Sequence, residues 1–210
     1  MLTSLMAMGY ADLPAQDAAT GPSSAKPGRI VILGDSITAG FGLTPEDAYP
    51  ALLQRKVAAA QLPYTVVNSG LSGDTTAGGL RRVDWVMGLG ADVLIVALGG
   101  NDGLRGLPPE QTRQNLRSII DKARKKAPAV KVIVAGMQMP PSMGQEFAEK
   151  FSAVFPEVAK EEHATLLPFL LAGVGGDPSL NQDDQIHPNV KGQQKVAESV
   201  WSVLQPLLKK

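Results

Sequence analysis

The sequence predicts a single-domain α/β fold, a three-layer α/β/α sandwich around a parallel sheet of five strands. From Arg29 onward, short unbroken apolar runs alternate with helical patterns. Unbroken apolar runs mark strands buried on both faces, as a parallel sheet requires. Right-handed crossovers between such strands then put helices on both sides. The 210 residues suffice for one well-cored domain, and there is no internal repeat and no linker after Gly28. The domain is therefore expected at 29–210, preceded by a flexible lead-in at 1–28.

The first strand is Arg29–Leu33. A helix follows from Pro45 to Ala60, with Thr44 as N-cap, Pro45 at the first helical position and Tyr49, Leu52, Leu53 and Val57 on one face. Tyr64–Asn68 is the second strand, and Asp74 is placed to cap a helix reaching Met87 across Gly78 and Gly79. Asp92–Leu98 carries the strongest strand signal and runs into Gly99-Gly100-Asn101-Asp102-Gly103. After Pro108-Pro109 a helix extends to Lys126, with Leu116, Ile119, Ile120 and Ala123 at helical spacing. Val130–Ala135 is the fourth strand. A helix at 145–162 then carries Phe147, Phe151, Val154, Phe155 and Val158, with a kink expected at Pro156. Ala164–Leu167 is a brief fifth strand. The last helix is read as starting at Pro188, with Val190, Val196, Val200, Trp201 and Leu204 toward the core. Trp85 is likewise read as a core residue, and His163 as a surface residue at a helix C-terminus.

Composition narrows the function. Twenty basic and 20 acidic residues cancel, which gives no support for a nucleic-acid or anionic-membrane partner. Without cysteine there is no disulfide, thiolate metal site or thiol nucleophile. The two histidines, His163 and His187, rule against a His-rich metal centre and leave His187 as the candidate base. No apolar run is long enough for a bilayer, and the first basic residue is Lys26, so the opening stretch lacks the charged start of a signal peptide.

The loops that a parallel sheet gathers at its carboxyl edge carry acyl-transfer chemistry. Gly34-Asp35-Ser36 follows the first strand, Gly73 lies after the second, Asn101 after the third, and Asp184-Gln185-Ile186-His187 precedes the last helix. A serine hydroxyl needs an imidazole to take its proton, and the imidazole needs a carboxylate to fix its tautomer. Asp184 and His187, three residues apart, can supply both from one turn. The Ser36 and Gly73 amides and the Asn101 side chain are the candidate donors to an oxyanion. Taken singly, each has an ordinary explanation: a strand-end turn, a turn glycine, a type I′ turn at Asn101-Asp102-Gly103, an ion pair capping a helix. Their joint occurrence in this order favours catalysis.

The set Gly34-Asp35-Ser36, Gly73, Gly100-Asn101-Asp102 and Asp184-x-x-His187 resembles the SGNH (GDSL) hydrolase superfamily. Ser72-Gly73-Asp74-Thr75, Gly99–Gly106 and Asp183–Asn189 resemble its bacterial thioesterase I, lysophospholipase L1 and arylesterase branch. The resemblance implies a flavodoxin-like sheet, Ser36 as nucleophile with Asp184 and His187, and an oxyanion hole of Ser36, Gly73 and Asn101. It implies a mobile stretch at Gly103–Pro108, with Asp35, Gly103, Leu104, Arg105, Met139 and Pro140 on the substrate side. It also implies an acyl ester or thioester as the small-molecule partner, no cofactor, no stable membrane insertion, a monomer or weak dimer, and residence in the periplasm or beyond. Two other readings compete. A carbohydrate acetyl esterase would use the same site, against which the 5% aromatic content argues mildly. A phosphate-binding module would leave Asn101, Asp184 and His187 unemployed, and neither phosphate-loop pattern occurs. The absence of Gly-x-Ser-x-Gly disfavours an α/β-hydrolase.

Overall fold

A computed structural model describes residues 26–209. The lead-in expected at 1–28 therefore falls mostly outside the described residues, and the first strand already begins at Gly28. The elements run β1 (Gly28–Gly34), α1 (Ser36–Ala39), α2 (Tyr49–Ala59), β2 (Tyr64–Gly70), α3 (Thr76–Val86) and β3 (Val93–Ala97), then α4 (Gly100–Leu104) and α5 (Pro109–Lys126). β4 (Lys131–Ala135), α6 (Gln145–Glu161), β5 (Thr165–Leu167) and α7 (Val190–Leu204) complete the order.

The five strands form one parallel sheet in the order β2-β1-β3-β4-β5. Every residue of β3 is buried, as are Ile30 to Leu33 of β1, which accounts for the unbroken apolar runs. From β1 the chain passes to β2 on one side and later to β3 on the other, so a crevice opens at the carboxyl end of β1. Gly34 ends β1 paired with Gly70 and with Ala97. Among the described residues no helix is long and apolar enough to cross a membrane.

Several boundaries differ from the sequence reading. Pro45 opens a separate 3-10 turn, Pro45–Asp47, and α2 begins at Tyr49. Thr44 bonds the Asp47 carboxylate at 3.0 Å rather than a backbone amide. Thr75, not Asp74, caps α3 by accepting from the Gly78 amide, because Asp74 is turned inward to Arg82. α6 continues through Pro156 as one unbroken helix. α7 starts at Val190 with Asn189 as its cap, since Pro188 is held in an antiparallel bridge to Asn181. Val190 is accordingly 39% exposed rather than core. Trp85 is 81% exposed. The buried stripe of α3 runs through Thr76, Gly79 and Val83, and a position two beyond Val83 is turned roughly 200° away from it. His163 is exposed, as expected.

Candidate active site

The nucleophile candidate is fixed by the way β1 stops. Asp35 caps α1, its Oδ1 accepting from the Ile37 amide at 3.0 Å, so that Ser36 becomes the first helical residue. Amides in a helix's first turn lack intrahelical acceptors, which leaves the Ser36 N–H available. Gly40 closes this single turn at φ 76°, a left-handed conformation that favours glycine. The turn is tied down from three sides. Thr38 and Tyr49 share a buried hydroxyl–hydroxyl bond of 2.8 Å, and Asn68 Nδ2 donates to the Thr38 carbonyl at 2.9 Å. Gln193 of α7 accepts from the Tyr49 amide at 2.9 Å and donates to the Ile37 carbonyl at 3.1 Å. A Cβ at Gly70 would collide with the backbone nitrogen of Ala39, so β2 passes directly under α1.

The loop before α7 brings the candidate base. His187 Nε2 lies 2.9 Å from Ser36 Oγ, and His187 Nδ1 lies 2.6 Å from Asp184 Oδ2. Asp184 Oδ1 accepts from the Ile186 and His187 amides, both at 2.9 Å, and the carboxylate thereby organises the turn that carries its own partner. Gln185 takes a left-handed φ of 58° to complete that turn. Three residues expected to act together are thus in hydrogen-bonded series.

On the other flank, Asn101 sits in the first turn of α4, a short helix rather than a type I′ turn. Its Nδ2 donates to the Asp74 carbonyl at 2.9 Å and approaches Asp35 Oδ2 at 3.5 Å. Gly73 has φ 78° and is exposed, and Arg105 Nη2 donates to its carbonyl at 2.9 Å. Among the described residues its amide has no acceptor. Beneath this loop, Arg82 donates to Asp74 Oδ2 at 2.7 Å, the Ser69 carbonyl at 2.6 Å and the Gly34 carbonyl at 2.8 Å. One guanidinium therefore joins the ends of β1 and β2 to the segment bearing Gly73. The buried Asp102 carboxylate accepts from the Thr76 amide at 2.9 Å and from the Thr76 hydroxyl, which locks α4 to the start of α3.

The carboxylates are set apart electrostatically. Burial pushes the Asp35 carboxyl from 3.8 up to about 6, although the Ile37 amide and the nearby His187 oppose the shift. Asp184 is held down at about 2, first by the His187 amide, then by the imidazole and the Ile186 amide. It stays anionic wherever imidazole can act as a base.

The remaining expected substrate residues divide. Leu104 is 45% exposed, and Arg105 and Pro140 are also exposed. Gly103 is buried beneath Met139, whose sulfur a Cβ there would strike. Asp35 is only 2% exposed, so it supports α1 and offers a substrate no surface. The sequence reading missed Phe41, whose ring lies 4.6 Å from the His187 ring at a 38° tilt. It also missed Arg82, Leu71 and Ile186. Leu71 and Ile186 stand 54% and 47% exposed beside Gly73 and His187 in the chain. An isolated aromatic between Gly40 and Gly42 was the one signal available for Phe41. Among the described residues no cluster of three His, Cys, Asp or Glu side chains is suited to a metal ion.

Comparison with known proteins supplies independent context. Residues 32–195 match the model of the GDSL-like Lipase/Acylhydrolase family. Esterase TesA of Pseudomonas aeruginosa is 45% identical over 180 residues, covering 85% of this chain and 89% of that protein. Thioesterase 1/protease 1/lysophospholipase L1 of Escherichia coli K12 is 39% identical over 188 residues, covering 85% and 84%. The crystal structure of TesA superposes with a TM-score of 0.82 at 43% identity, covering 86% of this chain and 99% of that one.

Proposed function

The chain belongs to the GDSL-like lipase/acylhydrolase family, and from that premise we propose that it is a serine esterase working through an acyl-Ser36 intermediate. The observation that carries the assignment of residues is His187, bridging Ser36 Oγ at 2.9 Å and Asp184 Oδ2 at 2.6 Å. His187 Nε2 takes the hydroxyl proton as Oγ attacks the acyl carbonyl. Asp184 holds the Nδ1–H tautomer and stabilises the imidazolium. The Ser36 and Gly73 amides, with the Asn101 N–H that has only a long 3.5 Å approach to Asp35 Oδ2, receive the oxyanion. Collapse of the tetrahedral adduct expels the alcohol or thiol, which is protonated from His187. Water then repeats the sequence to release the acid.

Substrates of this reading are short- to medium-chain acyl and aryl esters, thioesters and lysophospholipids. Four exposed apolar side chains support it: Phe41, Leu71, Leu104 and Ile186, from the carboxyl-edge segments that carry Ser36, Gly73, Asn101 and His187. Apolar surface gathered on one edge suits an acyl or aryl group better than a sugar. Movement of Gly103–Pro108 on substrate binding, and residence in the periplasm or beyond, belong to the same proposal and rest on the family resemblance.

The test is intact mass after fluorophosphonate treatment, beside hydrolysis of p-nitrophenyl esters, for wild type and Ser36→Ala. One adduct and ester turnover, both absent in Ser36→Ala, are expected. A folded wild type with neither would overturn the assignment.

A further inference from the structure

We propose that Gln182 is a positioning residue for this reaction: a single amide that sets the reach of His187 Nε2 to Ser36 Oγ by tying together the loops that carry them. The inference rests on the serine esterase reading above. The two halves of the triad differ in how they are built. Asp184 and His187 lie three residues apart on one turn, whereas Ser36 and His187 are separated by 151 positions and must be registered by other contacts.

Gln182 supplies that registration. Its Nε2 donates to the Phe41 carbonyl at 2.7 Å and to the Pro188 carbonyl at 3.2 Å, so one nitrogen clamps a residue just beyond the nucleophile turn to the residue after His187. Its own amide donates to the His187 carbonyl at 2.8 Å. On the far side, the Phe41 amide donates to the Ser36 carbonyl at 3.0 Å. The path from Ser36 through Phe41 and Gln182 to His187 is thus continuous. Gly42 makes room for it: φ there is 76°, and a Cβ would run into Gln182 Oε1. The Phe41 and His187 rings, 4.6 Å apart, can slide, so the directional hydrogen bonds set the distance. Gln182 touches neither substrate nor the reacting atoms in this arrangement. It acts through the imidazole it places.

The test compares wild type with Gln182→Met, which keeps the length and loses both donations, and Gln182→Glu, which turns an oxygen toward two carbonyl oxygens. Each is measured for Tm, for kcat and KM on a p-nitrophenyl ester, and for the rate of fluorophosphonate labelling. The downfield proton resonance of the Asp184–His187 pair is recorded alongside. We expect kcat and the labelling rate to fall by a common factor of about 10–100, the scale of an ångström-sized misplacement, with KM unchanged. Gln182→Glu should be the slower variant. The downfield proton should persist, because that pair is local to its turn. Labelling at the wild-type rate in either folded variant overturns the proposal. So does a loss of rate matched by loss of the downfield proton or by a proportionate fall in Tm, which would make Gln182 a prop of the fold. A wild type that fails to label would instead sink the esterase reading itself.

Discussion

Asn101 Nδ2 lies 2.9 Å from the Asp74 carbonyl oxygen, which commits one of its two N–H groups and orients the other. That second N–H has only a long 3.5 Å approach to Asp35 Oδ2, a contact weak enough to give way to a developing oxyanion.

Asn101→Ala should therefore lower kcat by about 10²–10³ with little effect on KM, since the donor is used chiefly in the transition state. Steady-state kinetics on a p-nitrophenyl ester decide this. A rise in KM alone would place Asn101 in ground-state binding.

Asp184→Asn keeps an oxygen for the Ile186 and His187 amides but loses the charge and the acceptor for Nδ1. The loop should hold its shape while kcat drops by up to about 10⁴. Matching circular dichroism with near-normal turnover would remove Asp184 from the mechanism.

Asp35 makes a pH prediction for stability. Between 3.8 and about 6 the folded protein keeps a proton on this carboxyl that the unfolded chain has released. Wild-type stability from this group is complete below 3.8 and is lost as pH rises through about 6. Asp35→Asn retains the cap to Ile37 without the buried charge. Its Tm should gain on wild type as pH increases across that window, by an amount corresponding to at most about 3 kcal/mol. Parallel Tm profiles for the two proteins would contradict it.

Arg82→Leu removes the counter-charge of Asp74, a buried carboxylate, together with the link between the ends of β1 and β2. Loss of about 3–5 kcal/mol in chemical denaturation is expected, the usual cost of stranding one partner of a buried pair. Arg82→Lys should recover part of the stability, because the charge returns without the three-way fork.

Gly70→Ala tests how tightly the nucleophile turn is seated. The added methyl meets backbone rather than a movable side chain, so about 1–3 kcal/mol of stability and part of kcat should be lost together. Unchanged values for both would show that α1 can ride upward freely.

The sheet and its carboxyl-edge loops were legible because doubly buried strands write themselves as unbroken apolar runs, as Val93 to Leu98 does. Ser36, Gly73, Asn101, Asp184 and His187 were legible as ordered motifs. What escaped depends on partners distant in the chain. Asp74 looks like a helix cap until Arg82 is known to claim it. Trp85 looks apolar enough for the core until α3 is rolled onto Gly79 and Val83. Gln182 is an unremarkable loop amide until Phe41 arrives from 141 positions away. Asp35 reads as a site residue, yet burial turns it into a supporting one.

The chain separation of Ser36 and His187 also orders events in time. A ribosome working from the N-terminus lays down all five strands, and with them Ser36, Gly73 and Asn101, before Asp184 and His187 are made. Until that loop and α7 exist, Ser36 Oγ lacks the His187 imidazole and its turn lacks the Gln193 tie to the Ile37 carbonyl. On the proposed mechanism the base comes within 2.9 Å of that hydroxyl only once the last loop has been made, an order set by chain direction alone.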